Sequence, residues 1–147
     1  MLVNGRFLTR PATGVDRFAT ELICAMARLQ GAPVDVAVPV AAAHTDKPPG
    51  DAARLLELGT RQGQAWEQIE LPRLANGRTL VNLANAGPIA SENQLVVIHD
   101  AATLANPQNF SFAFRSWYRV MLSALMKRAR VVASVSKFSA EIGRAHV

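Results

Sequence analysis

The strongest constraint on this chain is a set of short, nearly continuous apolar runs separated by segments of helical periodicity. Leu95-Val96-Val97-Ile98 is the cleanest run. Val34-Asp35-Val36-Ala37-Val38-Pro39-Val40, Leu80-Val81-Asn82-Leu83 and Val131-Val132-Ala133-Ser134-Val135 share its character. Leu2 to Leu8 reads as a further strand, interrupted by Asn4, Gly5 and Arg6. A strand that is apolar at successive positions must be covered on both faces, which is the condition of a parallel sheet between helical layers. The expected class is α/β: a Rossmann-like parallel sheet of about five strands with helices on both faces, joined by right-handed crossovers.

The intervening segments support this reading. After the loop Arg10-Pro11-Ala12-Thr13-Gly14, the pair Thr13 and Asp16 has capping-box spacing. Phe18, Leu22, Ala25, Met26 and Leu29 then recur at helical steps until Gly31 and Pro33 end the helix. Asp51 to Leu58 reads as a brief helix closed by Gly59, and Trp66 to Ala75 as a helix limited or kinked by Pro72. His44 to Gly50 is a loop. A longer helix covers Ser111 to Arg130, with Phe114, Trp117, Tyr118, Met121, Leu122, Leu125 and Ala129 on its apolar stripe. Ser136 is placed to cap a helix starting at Lys137. Leu83 to Leu95 leaves little room for a full crossover helix; a loop-only connection is one way to join these strands, and this junction fits the topology least well.

With 147 residues the chain has material for one compact domain. Half of it is apolar and 18% is charged, as in a folded globule. No apolar run reaches the ~18–20 residues of a membrane-spanning helix. Met1-Leu2-Val3-Asn4-Gly5-Arg6 has no basic segment ahead of a long apolar core, so the cytoplasm is the expected compartment. The lone Cys24 makes no disulfide framework, and His44, His99 and His146 lack metal-ligand spacing, so no metal is expected. Of the +5 net charge, much lies at Arg115, Arg119, Lys127, Arg128 and Arg130. These read as a solvated helix face or as a peripheral contact with the inner membrane surface. No nucleic-acid motif is present.

Ligands of doubly wound sheets bind outside the carboxyl ends of the strands, and three loops there carry suggestive residues. Thr13-Gly14-Val15 joins the first strand to its helix, where Gly14 is either a phosphate-approach position or a plain turn glycine. No dinucleotide or P-loop fingerprint accompanies it. His99-Asp100 follows the cleanest strand. His99 there can contact a sugar hydroxyl or phosphate, or cap the strand end, and Asp100 can orient its own loop. Ser134-Val135-Ser136 offers hydroxyls for a cap, a ligand or both.

Taken together, Asn4-Gly5-Arg6-Phe7-Leu8, Thr13-Gly14-Val15-Asp16-Arg17-Phe18-Ala19 with Glu21-Leu22, Val97-Ile98-His99-Asp100, Trp117-Tyr118-Arg119, Arg128-Ala129 and Val135-Ser136-Lys137-Phe138-Ser139 resemble, in order and spacing, the N-terminal domain of family-4 retaining glycosyltransferases of the GT-B fold. That resemblance implies transfer of a sugar from a nucleotide-sugar donor to a glycan or lipid-linked acceptor, without a metal or resident cofactor. By the same resemblance His99 is catalytic and reaches the reacting sugar, Gly14 lies beside the donor phosphates or the acceptor, and Thr13, Val15, Asp100 and Ser136 bind substrate. The basic helix would meet an anionic acceptor or membrane surface. In that family the nucleotide is held mainly by a C-terminal domain marked by a spaced pair of glutamates. Glu21, Glu57, Glu67, Glu70, Glu92 and Glu141 contain no such pair, so the chain alone is expected to be inert. Residues 1–140 are expected to form the incomplete N-terminal domain. Ile142-Gly143-Arg144-Ala145-His146-Val147 resembles a translated sequencing adapter, so residues 141–147 are expected to be a non-native tail. From the residues alone, without the resemblance, a standalone flavodoxin-like module that binds a phosphate-bearing ligand through Gly14 and His99 remains the alternative.

Overall fold

The computed structural model describes residues 1–40, 49–99 and 111–136. Within them lie six parallel strands: β1 (Leu2–Asn4), β2 (Val34–Val38), β3 (Ala53–Glu57), β4 (Leu80–Asn82), β5 (Gln94–Ile98) and β6 (Val131–Ser134). They form one sheet in the order β3-β2-β1-β4-β5-β6. Helix α1 (Gly14–Gln30) follows β1. Between β3 and β4 run α2 (Gly63–Ala65), a π-helical turn (Trp66–Glu70) and α3 (Leu71–Leu74), and α4 (Phe112–Arg128) separates β5 from β6. This is the doubly wound, Rossmann-like arrangement, with helices on both faces.

Register divides the sheet into two faces. Val3 lies opposite Val36 and Val81, and Val81 opposite Leu95. These residues pack with Ala19 and Ile23 of α1. On the reverse face, Leu2 and Leu80 meet Trp66 and Leu71, while Val96 and Ile98 meet Tyr118, Met121, Leu122 and Leu125 of α4. Residues 83–93 link β4 to β5 without a helix, as the short spacing allows.

Four expectations are corrected. First, β1 stops at Asn4, because Gly5 turns the chain into a 3-10 turn (Arg6–Thr9) that tucks Phe7 and Leu8 into the core. Second, Asp51 to Leu58 forms no α-helix. After a 3-10 turn (Gly50–Ala52) it becomes β3, paired with β2 from Val34↔Ala53 to Val38↔Glu57. Ala-Arg-Leu-Leu-Glu carries good helix formers and only intermittent burial, as suits an edge strand whose state is set by pairing rather than propensity. Third, the buried stripe of α1 runs through Asp16, Ala19 and Ile23, with Leu22 and Met26 alongside, while Phe18 and Leu29 are exposed. Fourth, Phe114 is exposed and does not join the packed stripe of α4. Pro72 is accommodated at the start of α3 after the π turn, where Leu71 N–H bonds back five residues to Trp66 O.

At the amino ends of the strands, Asp35 accepts from Arg54 Nε at 2.6 Å and also pairs with Arg78. The Arg54 hydrogen bond, reinforced by Arg78 and opposed by partial burial, holds the Asp35 carboxyl below its ordinary value of 3.8. A depressed folded-state pKa stabilises the fold above the unfolded value and loses that contribution as pH falls through the folded one. Asp35→Asn is therefore expected to lower the melting midpoint near neutrality, with the difference from the wild type closing below about pH 4. Arg54 is well exposed, so the effect should stay within about 1 kcal/mol and shrink with salt. Melting curves from pH 2 to 7 check both points.

Candidate functional site

Beside β1 the chain order of the sheet reverses, since β2 lies on one side and β4 on the other. Such a switch point opens a crevice outside the carboxyl ends. Gly5 shapes its floor. A Cβ there would stand 2.6 Å from Ala37 O and 2.7 Å from Val36 Cγ1, so only glycine lets β1 leave the sheet so close to β2. Gly5 N–H also donates to Ala37 O at 2.8 Å, which fixes the turn.

Immediately beneath the crevice a buried polar relay crosses the sheet. Gln94 Nε2 on β5 donates to Pro88 O at 2.9 Å, and Asn82 Nδ2 on β4 donates to Gln94 Oε1 at 2.8 Å. Asn4 Nδ2 on β1 donates to Asn82 Oδ1 at 2.9 Å and to Glu67 Oε1 at 2.7 Å. Arg6 Nε lies 3.1 Å from that same oxygen. A Cβ on Gly87 would stand 2.8 Å from Asn82 Cγ and 3.0 Å from Gln94 Oε1, so the β4–β5 loop closes tightly over the amides. The relay ends at a small cavity of about 10 Å³ lined by Arg6, Phe7, Arg10, Glu67, Leu83 and Ala84, with Ala86. None of these residues was singled out from the sequence as functional. The available signal was the repeated tripeptide Leu-Val-Asn at Leu2–Asn4 and Leu80–Asn82, which puts an amide at the same position of two adjacent buried strands.

Among the described residues, none of those expected at the site lines this cavity, and they stand in different states. Thr13 and Gly14 open α1 and are exposed, and Val15 is half-buried. The buried Asp16 carboxylate accepts from Thr13 N–H at 2.8 Å and from the Thr13 hydroxyl at 2.7 Å, and Arg10 Nη2 donates to it at 2.9 Å. The capping box expected from the Thr13/Asp16 spacing is thus formed, and a carboxylate of the chain itself already sits at the helix N-terminus. A Cβ on Gly14 would meet nothing within 4 Å, so the fold does not demand glycine there.

His99 stands at the carboxyl end of β5. Its Nε2 donates to Leu83 O at 2.8 Å, its backbone N–H donates to Asn85 Oδ1 at 2.6 Å, and its ring meets Phe18 edge-on at 4.6 Å. A carbonyl can only accept, so this contact fixes the proton on Nε2 and the plane of the ring. Leu83 and Arg10 both line the cavity, so His99 is one hydrogen bond from its wall through Leu83 O, and the α1 N-terminus is tied to it through Arg10 and Asp16. Ser136 lies apart from it, exposed beyond β6, with its carbonyl accepting from the Ser134 hydroxyl at 3.0 Å. Asp100, the helix expected from Lys137, residues 141–147 and most of the His44 to Gly50 loop fall outside the described residues.

Along α4 the basic residues Arg119, Lys127 and Arg128 are exposed, and Arg128 pairs with Glu92 at 3.0 Å. No helix among the described residues is long and apolar enough to cross a membrane, and no group of His, Cys, Asp or Glu among them could hold a metal ion.

These features define an α/β protein with a doubly wound parallel sheet and a polar crevice at its switch point. The chain matches no protein-family model, no curated protein and no solved structure.

Proposed function

We infer that the chain is the acceptor-side domain of a glycosyltransferase, which receives a glycan or lipid-linked acceptor while a nucleotide sugar donates the transferred unit. The observation that supports this most is the pre-set His99 ring beside the switch-point crevice, held by Leu83 O and braced by Phe18. A histidine fixed in this way orients a sugar hydroxyl without first paying the entropy of ordering its own ring. In the reaction the acceptor hydroxyl oxygen bonds to the anomeric carbon as the bond from that carbon to the nucleoside diphosphate breaks, and the hydroxyl proton passes to the leaving diphosphate. The part assigned to this chain is to hold the acceptor and, through His99, the reacting sugar.

Two observations weigh against a standalone phosphate-binding module. A flavodoxin-type sheet sets its third strand beside the first, whereas here β4 takes that place. Asp16 also occupies the helix N-terminus that a phosphate would need. Titrating the isotope-labelled chain with methyl glycosides and with nucleoside diphosphates tests the reading. Glycosides are expected to shift the signals of His99 and Gly14, with His99→Ala weakening them about tenfold. Nucleotides should bind only weakly. Tight binding of a free nucleotide or phosphomonoester at Thr13–Gly14 would overturn the proposal in favour of the module.

A further inference from the structure

Glu67 presents a problem that the fold does not solve internally. Its side chain is 1% exposed and Oε1 is fully engaged by Asn4 and Arg6, yet Oε2 is buried without a hydrogen-bond partner among the described residues. Leaving a buried carboxylate oxygen unpaired is expensive. The cavity that Glu67 lines holds about 10 Å³, which is room for a single oxygen-sized group.

The surroundings select the chemistry of that group. Arg6 is already paired with Glu67, and Arg10 with Asp16, so both guanidinium groups at the cavity are neutralised by carboxylates. A phosphate would add negative charge beside two existing carboxylates and would exceed the space. A hydroxyl fits both needs, giving one proton to Glu67 Oε2 and accepting from a further N–H of Arg6, whose side chain is 25% exposed. Phe7, Ala84 and Ala86 supply an apolar wall suited to the C–H face of a polyol.

We propose that the Arg6–Glu67 cavity is a subsite for one hydroxyl of a neutral polyol or glycoside, and that it discriminates against anionic groups. It rests on the carboxyl-edge reading above for its ligand face, but not on the chemistry of transfer.

The test is a titration of the isotope-labelled 147-residue chain with methyl α-glucoside, myo-inositol and inorganic phosphate. The two polyols are expected to shift the amide signals of Arg6, Ala84 and Ala86 saturably, and phosphate is not. Glu67→Gln keeps an oxygen for Asn4 and Arg6 but puts an N–H donor where Oε2 would accept, and should weaken polyol binding at least about tenfold. Ala84→Val fills the cavity while leaving the relay intact and should weaken it likewise, which decides the matter if Glu67→Gln fails to fold. Phosphate competing at these signals, or both variants binding as the wild type because the cavity holds only water, overturns the subsite. Polyol shifts confined to Thr13, Gly14 and His99 overturn the subsite and leave the acceptor-side reading standing. Shifts at Arg6 and Ala84 together with tight nucleotide binding at Gly14 leave the subsite standing and overturn the transferase.

Discussion

Trp66→Ala is expected to lower the stability of the chain by about 3–5 kcal/mol, enough to unfold much of it under mild conditions. Trp66 heads the set of fully buried side chains and has no solvent exposure. It fills the space between the π turn and the sheet, against Leu2, Leu71, Ala75 and Leu80 with Leu56 and Leu58 alongside. Its Nε1–H donates to Leu58 O at 2.6 Å, tying the helical segment to the chain just beyond β3. Truncation leaves a large cavity and strands that carbonyl at the same time. Trp66→Phe keeps most of the volume and loses the hydrogen bond, so it should cost about 1–3 kcal/mol. Urea titrations of the three proteins, compared at equal slope, measure both steps. A Trp66→Ala midpoint close to that of the wild type would mean that this layer is not packed as described.

Why one such residue carries so much follows from how the sheet is covered. The reverse face rests on two separate patches, one around Trp66 and one under α4. Continuous apolar runs announced the central strands clearly, because burial on both sides forbids polar alternation. β3 was missed for the opposite reason. As an edge strand it needs only Ala53, Leu55 and Leu56 against its neighbours, and Arg54 can turn outward to Asp35. The same local composition suits a helix, and only pairing with β2 decides between them. The phase of α1 also depended on tertiary contact, since Phe18 leaves the core to meet His99.

The site was legible where chemistry is local in sequence. Thr13 and Asp16 lie three residues apart, so their box could be read from spacing alone. His99 could be placed because it follows an obvious strand. The polar relay could not, because its members are separated by 63 and 78 residues and meet only when the sheet is assembled. Asn4 even reads as an interruption of the first strand, although its side chain is what joins β1 to β4 and to Glu67.

Gly5→Ala is the second substitution expected to be severe, with a loss of about 2–4 kcal/mol. The added methyl would lie 2.6 Å from Ala37 O, an atom of the central sheet that cannot rotate away. It would also lie 2.8 Å from Val38 Cγ1. Relief requires moving the turn itself, which breaks the Gly5 N–H bond to Ala37 O and displaces both Asn4 and Arg6. Gly14→Ala is the informative contrast. Open space surrounds the position and it already begins a helix, so alanine should be neutral or stabilise by up to about 1 kcal/mol. Thermal melts of the two variants separate the glycine that the sheet requires from the one that it does not. If Gly14→Ala keeps full stability yet loses glycoside shifts at His99, the close approach at Gly14 belongs to a ligand rather than to the fold. If it keeps both, the crevice is read from Arg6, Glu67 and His99 alone.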